Sequence, residues 1–263
     1  MTECASMCQN VCRVFGYNSV MKKCRTHKKI FTTQMSVESG WRSVTVLPLD
    51  CKDLREKGNT NTGVYEIYPF GNSSIPVQVY CDMDTMNGGW TAIQKRLDGS
   101  LSFNRIWTDY KNGFGDPAQN VWIGNDVIHQ LTKGKNSFLY VSITVHNGTT
   151  LYELYDQFSV SDEADKYRLS LAGPATGTLG DSMLNTRQSI YDLSGIYFST
   201  PDRDNDNYFY SCASDFKGGW WFNYCHHAFL NGPWSSVQWT YPWNPTVTSG
   251  TSVTGTMMMI KRK

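Results

Sequence analysis

Asp202, Asp204 and Asp206 alternate within "STPDRDNDNYFYSC", residues 199 to 212, which ends on Cys212. Carboxylates this close repel one another unless a cation sits among them. Calcium suits that chemistry, because it takes about six to eight oxygen ligands from carboxylates, carbonyls and water. The EF-hand is one template, and its first, third and fifth positions fit the three aspartates. Asn207 stands where that loop needs glycine, and Ala213 where it needs a bidentate glutamate, so the segment is not an EF-hand. Asp and Asn also favour solvated turns. On these residues alone, a cation loop and an empty Asx turn stand level.

Eight cysteines supply the other chemistry: Cys4, Cys8, Cys12, Cys24, Cys51, Cys81, Cys212 and Cys225. No pair has the C-x-x-C spacing, which argues against zinc. An even count fits disulfides in an oxidising compartment. The sequons Asn72-Ser73-Ser74 and Asn147-Gly148-Thr149 point the same way and mark Asn72 and Asn147 as glycosylation candidates. If Cys212 and Cys225 are bonded, they pin the acidic segment to the aromatic run "FKGGWWFNYCHH". Closing such a loop is worth roughly 3 kcal/mol in the chain-entropy model.

Catalytic constellations are weak. Cys225-His226 would suit a thiol nucleophile beside a base, but a cysteine in a disulfide has no thiolate. Asp82 and Asp84 could mimic a glycosidase pair, yet they follow Cys81 in a turn with no second group. His27, His129, His146 and His227 show no sequence partner and read as surface or packing residues. There is no phosphate loop and no Ser-His-Asp signature. The protein is read as a non-enzyme.

The totals agree with a binding module. The chain has 263 residues and a formal net charge of +1, which leaves no broad basic footprint for nucleic acid or a membrane surface. The basic tail "IKRK" is short. The longest apolar run, "FLYVSITV", is far below the roughly 20 residues a bilayer span needs. Met1 is followed by Thr2, Glu3 and Cys4 with no apolar leader, so the sequence is expected to be a fragment.

These residues need a scaffold to position them. "GVYEIY" and "VQVYCDM" read as strands joined by "GNSS", followed by strands at "GGWTAIQKR", "SFLYVSITV", "TLYELYDQFSV", "KYRLSL" and "TMMMIKR". In "SFLYVSITV", Leu139, Val141, Ile143 and Val145 share one face. One helix is marked at "NDVIHQLTKG", with Asn125 or Asp126 as cap and Gly134 as stop, and a shorter one at "RIWTDYKNG". From about Phe198 to Thr248 regular patterning fails, and a stretch this long is usually functional. Trp220 and Trp221 are expected in the core. Before Pro48, crowded cysteines suggest a separate module: a helix carrying Cys4 and Cys8, then a strand at "VFGYNSV". The expected pairing is Cys4–Cys24 outside and Cys8–Cys12 inside, with the other connectivities open. This resembles a PAN/apple module lacking its start, over residues 1–47.

From about Asp50 onward, "DCKDL", "GVYEIYP", "VQVYCDMDTMNGGWTAIQKRLDGSLSFNRIWTDYKNGFG", "WIGNDVIHQLT", "FSTPDRDND", "CAS", "GGWWFNYCH" and "LNGPW" resemble a fibrinogen-related domain, as in fibrinogen chains, ficolins and tachylectins. The likeness covers residues 50–263. It implies an α+β fold with a central antiparallel sheet, short helices and a long irregular calcium- and ligand-binding region. It implies disulfides Cys51–Cys81 and Cys212–Cys225. It places Ca²⁺ on the side chains of Asp204 and Asp206 and the carbonyls of Tyr208 and Tyr210, with Asp202 as an outer neighbour. The implied ligand pocket uses Phe216, Tyr224, the backbone of Cys225, and His226, with a cis Tyr224–Cys225 peptide. After "LNG", however, the sequence lacks the loop that brings a tyrosine to this pocket, and Trp234, Tyr241 or Trp243 would have to substitute.

The function expected from this resemblance is a secreted, lectin-like recognition protein of innate immunity, binding carbohydrate such as an acetylated or microbial glycan. The alternative is a protein-binding or matrix adhesion module of fibrinogen type, meeting other extracellular proteins. No nucleic acid and no membrane span are expected, and oligomerisation is compatible with weak single sites.

Overall fold

The computed structural model describes residues 14–18, 23–27, 41–45, 47–134, 136–184, 188–235 and 242–263. The protein divides into two compact units, Met1–Pro48 and Leu49–Lys263. The first contains β1 (Val14–Asn18), β2 (Lys23–His27) and β3 (Trp41–Thr45), an antiparallel sheet in the order β2-β1-β3. The strand expected at "VFGYNSV" is β1. Cys24 falls on β2. Cys4, Cys8 and Cys12, and with them the expected helix and pairings, lie outside the described residues.

In the second unit the alternating segments become strands. They are β4 (Gly63–Ile67), β5 (Val77–Asp82), β6 (Trp90–Arg96), β7 (Phe114–Gly115), β8 (Val121–Trp122), β9 (Ser137–Val145), β10 (Thr150–Val160), β11 (Leu169–Gly177) and β12 (Val253–Arg262). Among the described residues they form one nine-stranded antiparallel sheet, β11-β10-β9-β12-β6-β5-β4, with β8 joined to β6 and β7 to β8. The final strand, β12, lies between β9 and β6, with Met258 opposite Val141 on one side and Gln94 on the other. Leu139, Val141 and Ile143 are fully buried, as their period-two spacing demands. Trp90, Ala92 and Met259 form a smaller cluster with Tyr80, Tyr140 and Met257 packed against it.

Four short helices accompany this sheet among the described residues: α1 (Cys51–Glu56), α2 (Trp107–Asn112), α3 (Asn125–Thr132) and α4 (Cys212–Phe216). Several boundaries differ from the sequence expectation, two of them for a reason visible in the contacts. α3 is capped by Gly124, not Asn125 or Asp126. Those side chains are occupied elsewhere: Asn125 Oδ1 accepts from Trp122 Nε1 at 3.0 Å, and Asp126 accepts from Lys111 Nζ at 2.7 Å and the Tyr167 hydroxyl at 2.6 Å. β11 begins at Leu169 rather than Lys166, because Lys166 and Tyr167 take φ values of +52° and +50°, which no strand accommodates. Disulfides join Cys51 to Cys81 and Cys212 to Cys225. No helix among the described residues is long and apolar enough to cross a membrane.

Candidate functional site

The segment from Phe198 to Leu230 has little regular structure, so its order must come from side chains. Phe198, Trp220, Trp221 and Phe222 are fully buried, as expected for the two tryptophans, and form one aromatic core with Trp122 and Tyr110. Trp221 stands 6.1 Å from Trp122 and 5.1 Å from Phe198 between ring centroids. A short bridge pairs Ser199 with Trp220 through two hydrogen bonds, at 2.8 and 3.0 Å. From β6, the buried Gln94 amide donates to the Leu230 carbonyl at 3.1 Å. The neighbouring Arg96 guanidinium donates to Leu230 at 3.0 Å and Gly232 at 2.6 Å. Burial lowers Arg96 to a pKa of about 10, so it stays charged at neutral pH. Gly219 gives room for this approach: a Cβ there would lie 2.6 Å from the Tyr110 ring, whose hydroxyl accepts the Gly219 N–H at 3.0 Å.

Asp202 anchors the start of the acidic loop. Its Oδ1 accepts from Trp107 N at 2.8 Å and from the Thr200 hydroxyl at 2.7 Å. It thereby caps α2, whose own N-cap residue Ile106 has no capping side chain. The Arg203 guanidinium lies 4.0 Å over the Trp107 ring and 3.7 Å from Glu163. Asn205 donates its side-chain amide to the Phe198 carbonyl at 2.8 Å.

Asp204 and Asp206 come next. Asp204 Oδ1 accepts from Asp206 N at 3.1 Å. Asp206 is half-buried and accepts twice, from Tyr208 N and from Cys212 N, both at 2.9 Å. Burial, and secondarily the Asp204 charge, push the Asp206 carboxyl up to about 6 despite those two donors. No basic side chain is among the groups that set this value. Among the described residues no third carboxylate, imidazole or thiolate joins the pair to make a metal-binding cluster. Any cation held here would need main-chain oxygens, and the carbonyls of Tyr208 and Tyr210 accept no hydrogen bond within the described residues.

The Cys212–Cys225 bridge ties the start of α4 to the next turn. That turn departs from the expectation. The cis peptides among the described residues are Gly173–Pro174 and Asn244–Pro245, so Tyr224–Cys225 is not cis. The backbone reverses instead at Cys225, where φ is +56° and Asn223 N donates to the Cys225 carbonyl at 3.1 Å. A left-handed residue achieves the turn at less cost than a non-proline cis bond. Since Cys225 is oxidised, the Cys225-His226 pair has no thiol nucleophile.

His226 is only 4% exposed. The rings of Phe216, Phe229 and Phe222 surround it at 4.5, 4.9 and 5.8 Å. Neither ring nitrogen has a hydrogen-bond partner among the described residues, and burial holds its pKa down to about 3. It packs inside these rings and does not present itself at the surface. Phe216 is half-buried beside it, whereas Tyr224 is 45% exposed. Of the substitutes for the missing tyrosine, Trp243 is fully buried with Nε1 donating to Gly180, and Trp234 stands 4.9 Å from the Arg96 guanidinium. Tyr241 lies outside the described residues.

A feature not anticipated from sequence lies beside the acidic pair. Phe209 is 70% and Tyr210 63% exposed, and with Tyr208 and Tyr224 they form one cluster. Ring centroids are 4.3 Å apart for Tyr208–Phe209 and Phe209–Tyr210, and 5.2 Å for Tyr208–Tyr224. Consecutive aromatics have no strand or helix period here, so sequence alone assigns them to core as readily as to surface.

The family model described as fibrinogen beta and gamma chains, C-terminal globular domain, matches residues 47–263. Fibroleukin of Homo sapiens is 46% identical over 184 residues, covering 70% of this chain and 41% of the relative. Angiopoietin-1 of Mus musculus is 39% identical over 222 residues, with coverages of 81% and 42%. Ryncolin-4 of Cerberus rynchops is 42% identical over 183 residues, with coverages of 70% and 50%. The sequence thus spans half or less of these relatives. Among solved structures, the fibrinogen-like globe domain of human ANGPTL2 matches with a TM-score of 0.74 at 35% identity, covering 81% of this chain and 98% of that one. Lamprey fibrin D-dimer, complexed with the peptide Gly-His-Arg-Pro-amide, matches at 0.71 and 31% identity, with coverages of 81% and 73%. With the sheet, the two disulfides and this match, the protein belongs to the family of the fibrinogen C-terminal globular domain.

Proposed function

We propose that this is a secreted, non-catalytic recognition domain whose ligand is a protein or peptide segment, met by the aromatic cluster of Tyr208, Phe209, Tyr210 and Tyr224. The cluster's exposure carries the reading. Large rings held in water cost hydration, and aromatic residues dominate the energetic centres of protein interfaces. A loop fastened by Asp202, the Cys212–Cys225 bridge and the buried tryptophans presents them with little entropy left to lose. This reverses the order expected from sequence, in which carbohydrate came first. The peptide complex of the lamprey relative supports protein or peptide, and the pocket tyrosine of the acetyl-binding version has no described substitute. Carbohydrate remains the second reading, because exposed rings also stack on sugar faces.

Calcium belongs to this proposal. Asp204 and Asp206 would hold it with the carbonyls of Tyr208 and Tyr210. The fit rests on two carboxylates held together with no basic partner, one of them raised to about 6. When bound, the ion would supply the missing positive charge between them. The protein's own part is to aim Tyr208 and Cys212 N–H groups at Asp206, which sets the path of residues 206–212.

Panning a displayed random-peptide library and probing a glycan array, each in millimolar calcium, tests the reading. Peptides should be enriched on the wild type and lost on the Phe209→Ser, Tyr210→Ser variant, whose melting temperature should be unchanged. Selective glycan binding lost in the same variant, with no peptide enrichment, would hand the site to carbohydrate.

A further inference from the structure

The hairpin between β4 and β5 holds two exposed apolar side chains, Phe70 at 38% and Ile75 at 48%, and between them the sequon Asn72-Ser73-Ser74. The backbone makes two consecutive turns there. Gly71 N donates to the Tyr68 carbonyl at 2.9 Å, with Gly71 at φ +67°, and Ile75 N donates to the Asn72 carbonyl at 3.2 Å. The Asn72 Oδ1 accepts from Ser74 N at 2.9 Å. Its Nδ2 makes no hydrogen bond among the described residues. Phe70 stands two positions before the asparagine, inside the first turn.

We propose that Asn72 carries an N-linked glycan whose first sugar packs against Phe70, so that this sugar is part of the fold. The C–H face of a pyranose is apolar, and an exposed phenyl ring offers the surface that it covers. Attachment takes place in the secretory pathway with a lipid-diphosphate-linked oligosaccharide as co-reactant. The Asn72 Nδ2 displaces the diphosphate at C1. The N–C1 bond forms, the C1–O bond breaks, its electron pair leaves with the lipid diphosphate, and the amide gives up one proton.

The second sequon is an internal control. Asn147 occupies the β9–β10 turn, with Oδ1 accepting from Thr149 N at 2.9 Å. The residue two positions before it is Val145, which packs against the core and carries no ring. The position that Phe70 holds relative to Asn72 is thus without an aromatic ring here, and Asn147→Gln should leave stability unchanged.

The experiment uses the whole chain secreted from animal cells. Glycopeptide mapping should find Asn72 modified. Phe70→Ala should lower the melting temperature of the glycoprotein by roughly 2–4 °C, the scale of one aromatic contact in a domain of this size. Trimming to a single sugar with an endoglycosidase should preserve that difference. In the Asn72→Gln background, Phe70→Ala should have no effect. Unmodified Asn72 overturns the proposal. So does an equal Phe70→Ala shift in the Asn72→Gln background, which would make Phe70 an ordinary packing residue.

Discussion

Replacing His226 with leucine should flatten the acid side of the stability curve. The imidazole is 4% exposed among three phenylalanine rings, its nitrogens have no partner among the described residues, and its pKa is held down to about 3 by burial first and by His227 second. Below about pH 6.5 an unfolded chain takes up a proton at this position that the folded protein refuses. The stability contributed by the neutral ring is therefore fully present above about pH 6.5 and is lost as pH falls toward 3. At about pH 5 the unfolded imidazole is protonated by roughly thirty to one, so about 2 kcal/mol is lost relative to neutral pH. That corresponds to roughly 4–8 °C in a domain of this size. Asp206 acts in the opposite sense. Its folded pKa of about 6 lies above its ordinary value of 3.8, so protonation there favours the apo fold as pH drops through 6. Comparing wild type with His226→Leu cancels that contribution, because both proteins carry Asp206. Urea melts of both proteins between about pH 7 and pH 5 would show it, with the wild type losing about 2 kcal/mol more than the variant. Equal losses would refute the assignment of a buried neutral base. At neutral pH the variant should be at least as stable, because two unpartnered polar atoms give way to an apolar group of similar size.

Calcium at tenfold its dissociation constant should raise the melting temperature by roughly 3–6 °C, with the midpoint of the effect near the 10⁻⁴–10⁻³ M (order of magnitude) typical of extracellular modules. An Asp204→Ala, Asp206→Ala double variant should lose this response, and a full response would remove those residues from the ligand set. Gly219→Ala should cost about 1–3 kcal/mol in urea unfolding, because its Cβ would lie 2.6 Å from the buried Tyr110 ring. A neutral result would show that Tyr110 can move aside.

The sheet was legible because half-buried strands write their period into the sequence: Leu139, Val141 and Ile143 are buried as their spacing requires. Element ends were less legible. Asn125 and Asp126 look like caps, but tertiary partners claimed both side chains. α1 was missed although it carried a signal, an Asp50 cap accepting from Asp53 N at 2.9 Å. The acidic segment stood out by composition, yet its division of labour did not. Asp202 reaches Trp107 N across 95 residues of sequence, and no local pattern encodes that contact. The exposure of Phe209 and Tyr210 was invisible for a related reason. Without a repeating period, an aromatic residue gives no sign of which way it points.

The position of β12 has a consequence for biosynthesis. The strands it joins, β6 and β9, are complete by Arg96 and Val145, but their shared neighbour begins only at Val253. At roughly 5–20 residues per second, the ribosome needs on the order of 10–30 s to make the intervening polypeptide after β6. Through that interval one edge of β6 waits with unpaired N–H and C=O groups, and an edge of β9 joins it once Val145 has been made, each able to capture a strand from another molecule. Nascent copies of this domain are thus exposed to mispairing until β12 has been made, and holdase chaperones in the compartment where they emerge have a defined target: the facing edges of β6 and β9.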